Sequence, residues 1–152
     1  MERILKTIKF LIALFLVLIF ATVILEVLFR YVLHLVLPWG AELSQTLLVW
    51  SAFLGSAYAL WNTEHMAVSL FVDRVKSKKA RKLLNYTARG TTLLFLLIGI
   101  WAGAKVVAIT WGDRTTAMQI PAGILYLSFP ISCGLMSVFL VVQFFSEGKE
   151  RT

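Results

Sequence analysis

Two charged side chains stand where charge is costly. Glu26 and Arg30 lie near the end of a long apolar run and are four residues apart. On a helix they share one face and can form an ion pair. Such a pair could brace the fold, offer a docking contact, or carry a proton or ion. Depth helps to decide. If Lys9 marks one membrane interface, about 20 residues at about 1.5 Å each reach Phe29 at the other. Arg30 then sits at the edge and Glu26 about one turn deeper. A membrane charge costs about 2.5–3.5 kcal/mol at the centre and less near the edge. A structural or docking role is therefore expected ahead of a proton or ion site.

The remaining polar candidates carry less chemistry. Glu42 opens a second apolar run, where an acid complements the positive end of a helix, and Pro38-Trp39 just before it makes a turn. Docking through Glu42 is the other option. Glu64-His65 is adjacent, but neighbouring helix residues point in different directions. No His-Glu-x-x-His zinc helix accompanies it. The single cysteine, Cys133, lies inside an apolar run and reads as a packing residue. Walker, Gly-x-Ser-x-Gly and paired-aspartate motifs are absent from the sequence. No enzyme activity, cofactor or metal site is expected.

The elements that must hold these residues follow from composition. Of 152 residues, 59% are hydrophobic and 15% charged. Soluble domains run at about 45–50% and about 25%. A bilayer tolerates the excess, because lipid replaces water around the outer faces. Four apolar stretches, at about 5–35, 42–63, 83–111 and 124–145, are expected as membrane helices of one all-α domain. The runs are continuous and too long for barrel strands of about ten residues. The third run has a short charge-free centre, so Arg89 and Lys105 must snorkel to opposite interfaces. Arg3, Lys6 and Lys9 before the first run resemble a signal peptide, but no small-x-small cleavage site follows. The first helix is expected to be retained.

The net charge is +7, and its placement sets orientation. Lysine and arginine cluster in the N-terminal tail, in the connection after the second run (Arg74, Lys76, Lys78, Lys79, Arg81, Lys82), and in the C-terminal tail. The positive-inside rule then puts both termini and that basic connection in the cytoplasm. The basic residues are expected to touch anionic lipid. Nucleic acid is not expected, since no aromatic residues interleave with the charges. Met66, Val68, Leu70, Phe71 and Val72 precede them and suggest a short amphipathic segment at the cytoplasmic interface.

Trp39, Trp50 and Trp61 are spaced eleven apart, close to three helical turns. Trp39 and Trp61 suit the two interfaces. Trp50 falls near the midplane, where packing on a partner helix or lipid contact must account for it. Gly99 and Gly103 form Gly-x-x-x-Gly, and Ser51 with Gly55 repeats the spacing. Small residues let helices approach closely. Pro121 breaks the chain before the fourth run, and Pro130 falls inside it.

Short pieces in a fixed order complete the reading. They are Arg30-Tyr31, Pro38-Trp39, Glu42-Leu43, Leu48-Val49-Trp50, Phe53-Leu54-Gly55, His65 with Val68 and Asp73, Ile120-Pro121, Tyr126 and Pro130. With them the chain resembles the small, DctQ-like membrane subunit of tripartite ATP-independent periplasmic (TRAP) transporters over nearly its whole length. The resemblance implies a non-catalytic scaffold in the bacterial inner membrane. It would brace a large transport subunit that carries substrate and sodium. A periplasmic substrate-binding protein would deliver an organic acid of the dicarboxylate or sialic acid class. Arg30, with Glu26, Trp39 and Glu42, would serve docking or a structural pair. Trp50, Gly55, Gly99 and Gly103 would pack on the large subunit. The family often has an acidic pair where this chain has Ala41-Glu42.

Three other readings compete. A four-helix small-multidrug-type exporter would use Glu26 as its essential carboxylate, but that site wants a deeper, unpaired acid and a shorter basic connection. An intramembrane enzyme would have only Glu64 and His65. A structural subunit of a different complex fits the same physics.

Overall fold

A computed structural model describes the backbone of residues 2–72 and 78–149 and the side chains of residues 3–62 and 86–143. These residues form four α-helices: α1 (Glu2–Val32), α2 (Pro38–Val72), α3 (Lys78–Thr110) and α4 (Gly123–Lys149). All four are long and apolar enough to cross a membrane. The helices match the expected runs in number and order and differ at their ends.

Local chemistry explains the ends. α1 stops at Val32, short of Leu35, because His34 takes a left-handed φ of 54°. The carbonyl of Phe29 there accepts from the N–H groups of Leu33 and Leu35 at 3.2 and 3.0 Å. α2 starts at Pro38, a turn before Glu42. Proline suits a first turn, whose N–H would lack a partner anyway. Residues 66–72, expected as a separate interfacial piece, prolong α2 instead. Their side chains lie outside the described residues, as do those of Glu64 and His65. Arg74 and Lys76 lie outside them altogether, while Lys78, Lys79, Arg81 and Lys82 are described only as backbone of α3's first turns.

The helices neighbour one another in the order α1, α2, α4, α3. α3 and α4 share the most extensive contact, α1 packs on α2, α2 packs on α4, and α2 barely meets α3. One cluster joins Ile8, Leu54, Ala57 and Phe139, and a second joins Leu96, Cys133 and Leu140. Edge-to-face ring pairs, Phe53–Phe129 and Trp61–Phe139, each 5.4 Å between centroids, tie α2 to α4.

Small residues set the α3–α4 spacing. A Cβ at Gly103 would come 2.9 Å from a Phe129 ring carbon and 3.1 Å from Pro130 Cδ. One at Gly99 would come 3.2 Å from the Cys133 sulfur. The backbones approach because no side chain stands between them. Ser128 and Ser132 are fully buried on the same helix, and the Ser128 hydroxyl donates to the Leu125 carbonyl at 2.7 Å.

Candidate functional site

The α1–α2 turn and the α3–α4 connection meet at one end of the bundle, and Glu42 joins them. From one turn inside α2, its carboxylate reaches across to the α3–α4 connection. It accepts from the Thr116 hydroxyl at 2.7 Å and from the backbone N–H groups of Ala117 and Met118 at 2.8 and 2.9 Å. These groups lie 74–76 residues away in sequence. Glu42 therefore does not cap its own helix, as its place in the sequence suggests. It clamps a distant loop.

That loop is ordered within itself. Thr115 N–H donates to the Ile120 carbonyl and Ala122 N–H to the Asp113 carbonyl, both at 2.9 Å. Arg114 pairs with Pro121 as an isolated antiparallel bridge. Gln119 turns the chain with φ of 55°, and Arg114 Nη1 donates to its carbonyl at 2.9 Å. The connection is a small hairpin whose tip, residues 116–118, is held by Glu42. At its base, Gly123 sits under Trp111. A Cβ there would come 2.8 Å from the indole ring.

Glu26 and Arg30 lie on α1 beside this platform. They share a face, yet among the described residues no ion pair within 4.0 Å joins them. Glu26 instead lies against Gly40 in the first turn of α2. A Cβ on Gly40 would come 2.7 Å from Glu26 Cγ and 3.0 Å from Oε1. An acid at a helix start is favourably placed, and only glycine leaves room for it. Arg30 is exposed, and both charges line a cavity between α1 and the turn to α2.

The other expected residues fall in two groups. Trp39 is exposed at this end. Trp50 faces α4, its indole N–H donating to the Ile124 carbonyl at 3.1 Å. Trp61 also faces α4, and its carbonyl accepts from Gln143 at 3.2 Å. Gly99 and Gly103 contact α4 of this same chain. A Cβ on Gly55 would meet nothing within 4 Å. Lys105, expected to snorkel, places Nζ 3.8 Å from the centroid of Trp101, a cation–π contact at helical i, i+4 spacing.

Sequence reasoning missed Thr116, Ala117, Met118 and Gly40. Ala117 and Met118 act through backbone N–H groups, which have no sequence signature, and Thr116 through a hydroxyl 74 residues from Glu42. Gly40 had one: a glycine in the first turn of a helix needs a reason. Lys105–Trp101 was visible in its spacing.

This is a multi-pass membrane protein whose polar groups build a surface at one end, and among the described residues no metal-holding group of His, Cys, Asp or Glu occurs. Comparison with known proteins defines its class. The family described as "Tripartite ATP-independent periplasmic transporters, DctQ component" matches residues 19–149. The chain belongs to that family, a family of transport components and not of enzymes. It is also 27% identical over 108 residues to the isethionate TRAP transporter permease protein DctMQ of Oleidesulfovibrio alaskensis. That match covers 68% of this chain and 16% of the relative, so the chain spans a small part of that protein's length.

Proposed function

We propose that this chain is the small permease subunit of a sodium-driven TRAP transporter for a small organic anion. It works in the bacterial inner membrane with both termini cytoplasmic. It braces a large transport subunit and offers part of the landing surface for a periplasmic substrate-binding protein. Family membership supports the subunit role over the small-multidrug-type exporter. The isethionate named for the relative is an organic sulfonate, outside the dicarboxylate and sialic acid classes expected as cargo, so the cargo is proposed only as a small organic anion.

One observation carries the bracing role. α2 packs on α1 and α4, yet it keeps an open face of Gln45, Leu48, Ala52 and Ser56 with half-buried Gly55, small or polar except for Leu48, which is 56% exposed. Their spacing puts them on one stripe. Small and polar residues are what helix–helix contacts in lipid select, since apolar bulk gains nothing over lipid there. Gly99, Gly103 and Trp50 are already engaged within the chain, so this stripe is the better candidate for the large subunit. The landing surface consists of exposed Arg30 and Trp39 with the hairpin that Glu42 positions.

The test is a pull-down of the tagged chain from native membranes in mild detergent, followed by mass spectrometry. A large, many-span permease should co-purify, and Ser56→Phe should release it while the chain stays folded. Arg30→Glu should leave that assembly intact and weaken the binding protein. A chain that purifies alone and binds lipophilic cations would overturn the proposal in favour of an autonomous exporter.

A further inference from the structure

α3 carries a cation that nothing in the chain neutralises. Gly99 and Gly103 face α4. At about 100° per residue, Trp101 and Lys105 lie on the opposite side of the helix, in one stripe with Leu94, Ile98 and Ile109. All five are exposed, Trp101 by 63% and Ile109 by 78%. The stripe is α3's outer edge, turned away from α4. Lys105 interrupts it, with apolar side chains on both sides along the axis.

Lys105 does not snorkel as its place in the sequence suggests. Ile109 stands between it and the end of α3 at Thr110. Its Nζ lies the other way, over the ring of Trp101, a residue one helical turn further from that end. The Cα of Trp101 is about 5 Å along the axis from the middle of the span Tyr86–Thr110. An aromatic face attracts a cation but carries no charge to neutralise it. Among the described residues no carboxylate lies within 4.0 Å of Lys105. Asp113, the acid nearest to it in sequence, lies beyond the end of the helix. Ionisable side chains inside a membrane pair with one another or face a polar interior. Lys105 does neither within this chain.

We propose that α3's outer edge is a second contact with the large subunit, and that a membrane helix of that subunit presents an aspartate or glutamate to Lys105. The carboxylate accepts from the ammonium on the side that the Trp101 ring leaves open. Leu94, Ile98 and Ile109 pack on the same helix and shield the pair. The other anion available to a membrane lysine is lipid phosphate. Phosphate lies at the headgroups, and the Lys105 side chain is folded away from them. The pair rests on the subunit role proposed above. It adds to the small and polar stripe of α2 a charge that fixes depth, because a partner helix at the wrong level leaves two charges unpaired in lipid. In the order of neighbouring helices, α4 alone stands between α2 and α3.

The test treats native membranes with a membrane-soluble carbodiimide, which joins an amine to a carboxylate in contact with it. The tagged chain is then purified in mild detergent and its cross-linked peptides are mapped by mass spectrometry. The wild type should yield a peptide of the large subunit joined through an acidic residue to Lys105. Lys105→Arg should keep the large subunit and lose the cross-link, because a guanidinium retains the charge and is not coupled. Lys105→Glu should lower the yield of co-purified large subunit about tenfold or more. Its thermal midpoint should hold, since the side chain touches nothing in its own chain but Trp101. If Lys105→Glu does not fold, Lys105→Met decides: it leaves the partner's carboxylate unpaired and should also lower the yield. A co-purifying complex with no cross-link at Lys105, or a full yield from the charge-reversed or neutral variant, would overturn the pair and leave the subunit role standing. Loss of bound phospholipid from Lys105→Glu, with the large subunit retained, would assign the lysine to lipid phosphate instead. A wild type that purifies without any large subunit would overturn both readings.

Discussion

α1 and α4 are both apolar membrane helices, and they are used in opposite ways. α1 has the higher mean hydropathy, 3.0 against 2.0, yet 6% of its apolar window is buried against 28% for α4. In water that order would be perverse, since burial follows hydrophobicity. In lipid the apolar side chain gains little by leaving the acyl chains, so packing goes where small and polar residues permit close approach. α4 has Ser128, Ser132, Cys133 and Phe139 buried, with Gly99 and Gly103 of α3 against it. α1 buries only Ile8 and Thr22 among its described side chains. Its first half is held by Ile8 with half-buried Leu5, Ile12 and Phe15 on the α2–α4 cluster, and its far end by Glu26 against Gly40. Hydropathy marks the lipid contact, and small side chains mark the protein contact.

The widest test of that contrast pairs two phenylalanines. Phe139 is 1% exposed and Phe20 is 69% exposed. Phe139→Ala should cost about 3 kcal/mol, the low end for a buried Phe→Ala change, because lipid removes most of the transfer term and leaves the cavity. Phe20→Ala should stay within about 0.5 kcal/mol. Thermal midpoints of the purified chain read both. Equal losses would show that α1 is packed like α4. A similar pairing probes the glycines. Gly103→Leu must separate α3 from α4 and should cost about 1–3 kcal/mol. Gly55→Leu meets open space and should leave the melting point of the chain unchanged. If Gly55→Leu unfolds the chain, the α2 stripe belongs to its own fold and not to a partner.

Much of this architecture was legible in the sequence, and the reason is physical. The four apolar runs each need a membrane, and their lengths fix the helix count. Helix ends were less legible. Pro38 and His34 set them through backbone conformation, which hydropathy ignores. Gly99 and Gly103 announced a close approach, but a Gly-x-x-x-Gly pattern does not say which helix approaches. Trp50 near the midplane left packing or lipid contact open, and its bond to the Ile124 carbonyl places it in packing within this chain. Glu42 was visible as an acid at a helix start. Its acceptor role was not, because two of its three donors are backbone amides of a loop 75 and 76 residues away. Glu26 and Arg30 were read as a pair from spacing. Spacing places side chains on one face but leaves their rotamers free, and Gly40 draws Glu26 toward α2.

The clamp tests whether the ordered hairpin belongs with α4's packed side of the molecule. Glu42→Ala removes three hydrogen bonds and leaves the Ala117 and Met118 amides without their acceptor. The loss should be clear if those amides stay shielded, and smaller if water reaches them. Amide exchange at residues 115–118 should accelerate, while exchange in the middle of α1 stays as it was. Unchanged exchange at the tip would mean that the hairpin's own bonds, between Thr115 and Ile120 and between Asp113 and Ala122, suffice to hold it.

Among the bonds between helices, the smallest expected loss is at Trp50. Trp50→Phe keeps an aromatic ring in the α2–α4 contact and deletes the indole N–H that donates to Ile124. A typical net hydrogen bond contributes about 0.5–1.5 kcal/mol. Within a bilayer, water does not readily replace the lost donor, but the Ile124 carbonyl stands at the start of α4, where a helical acceptor role remains open to it. The loss should therefore fall near the low end of that range. The informative readout is local. Exchange at the first turn of α4 should rise, and binding of the large subunit should be unaffected, because Trp50 faces inward. If assembly weakened instead while the first turn of α4 stayed protected, Trp50 would lie at the partner interface, and the inward face of α2 would have to be redrawn.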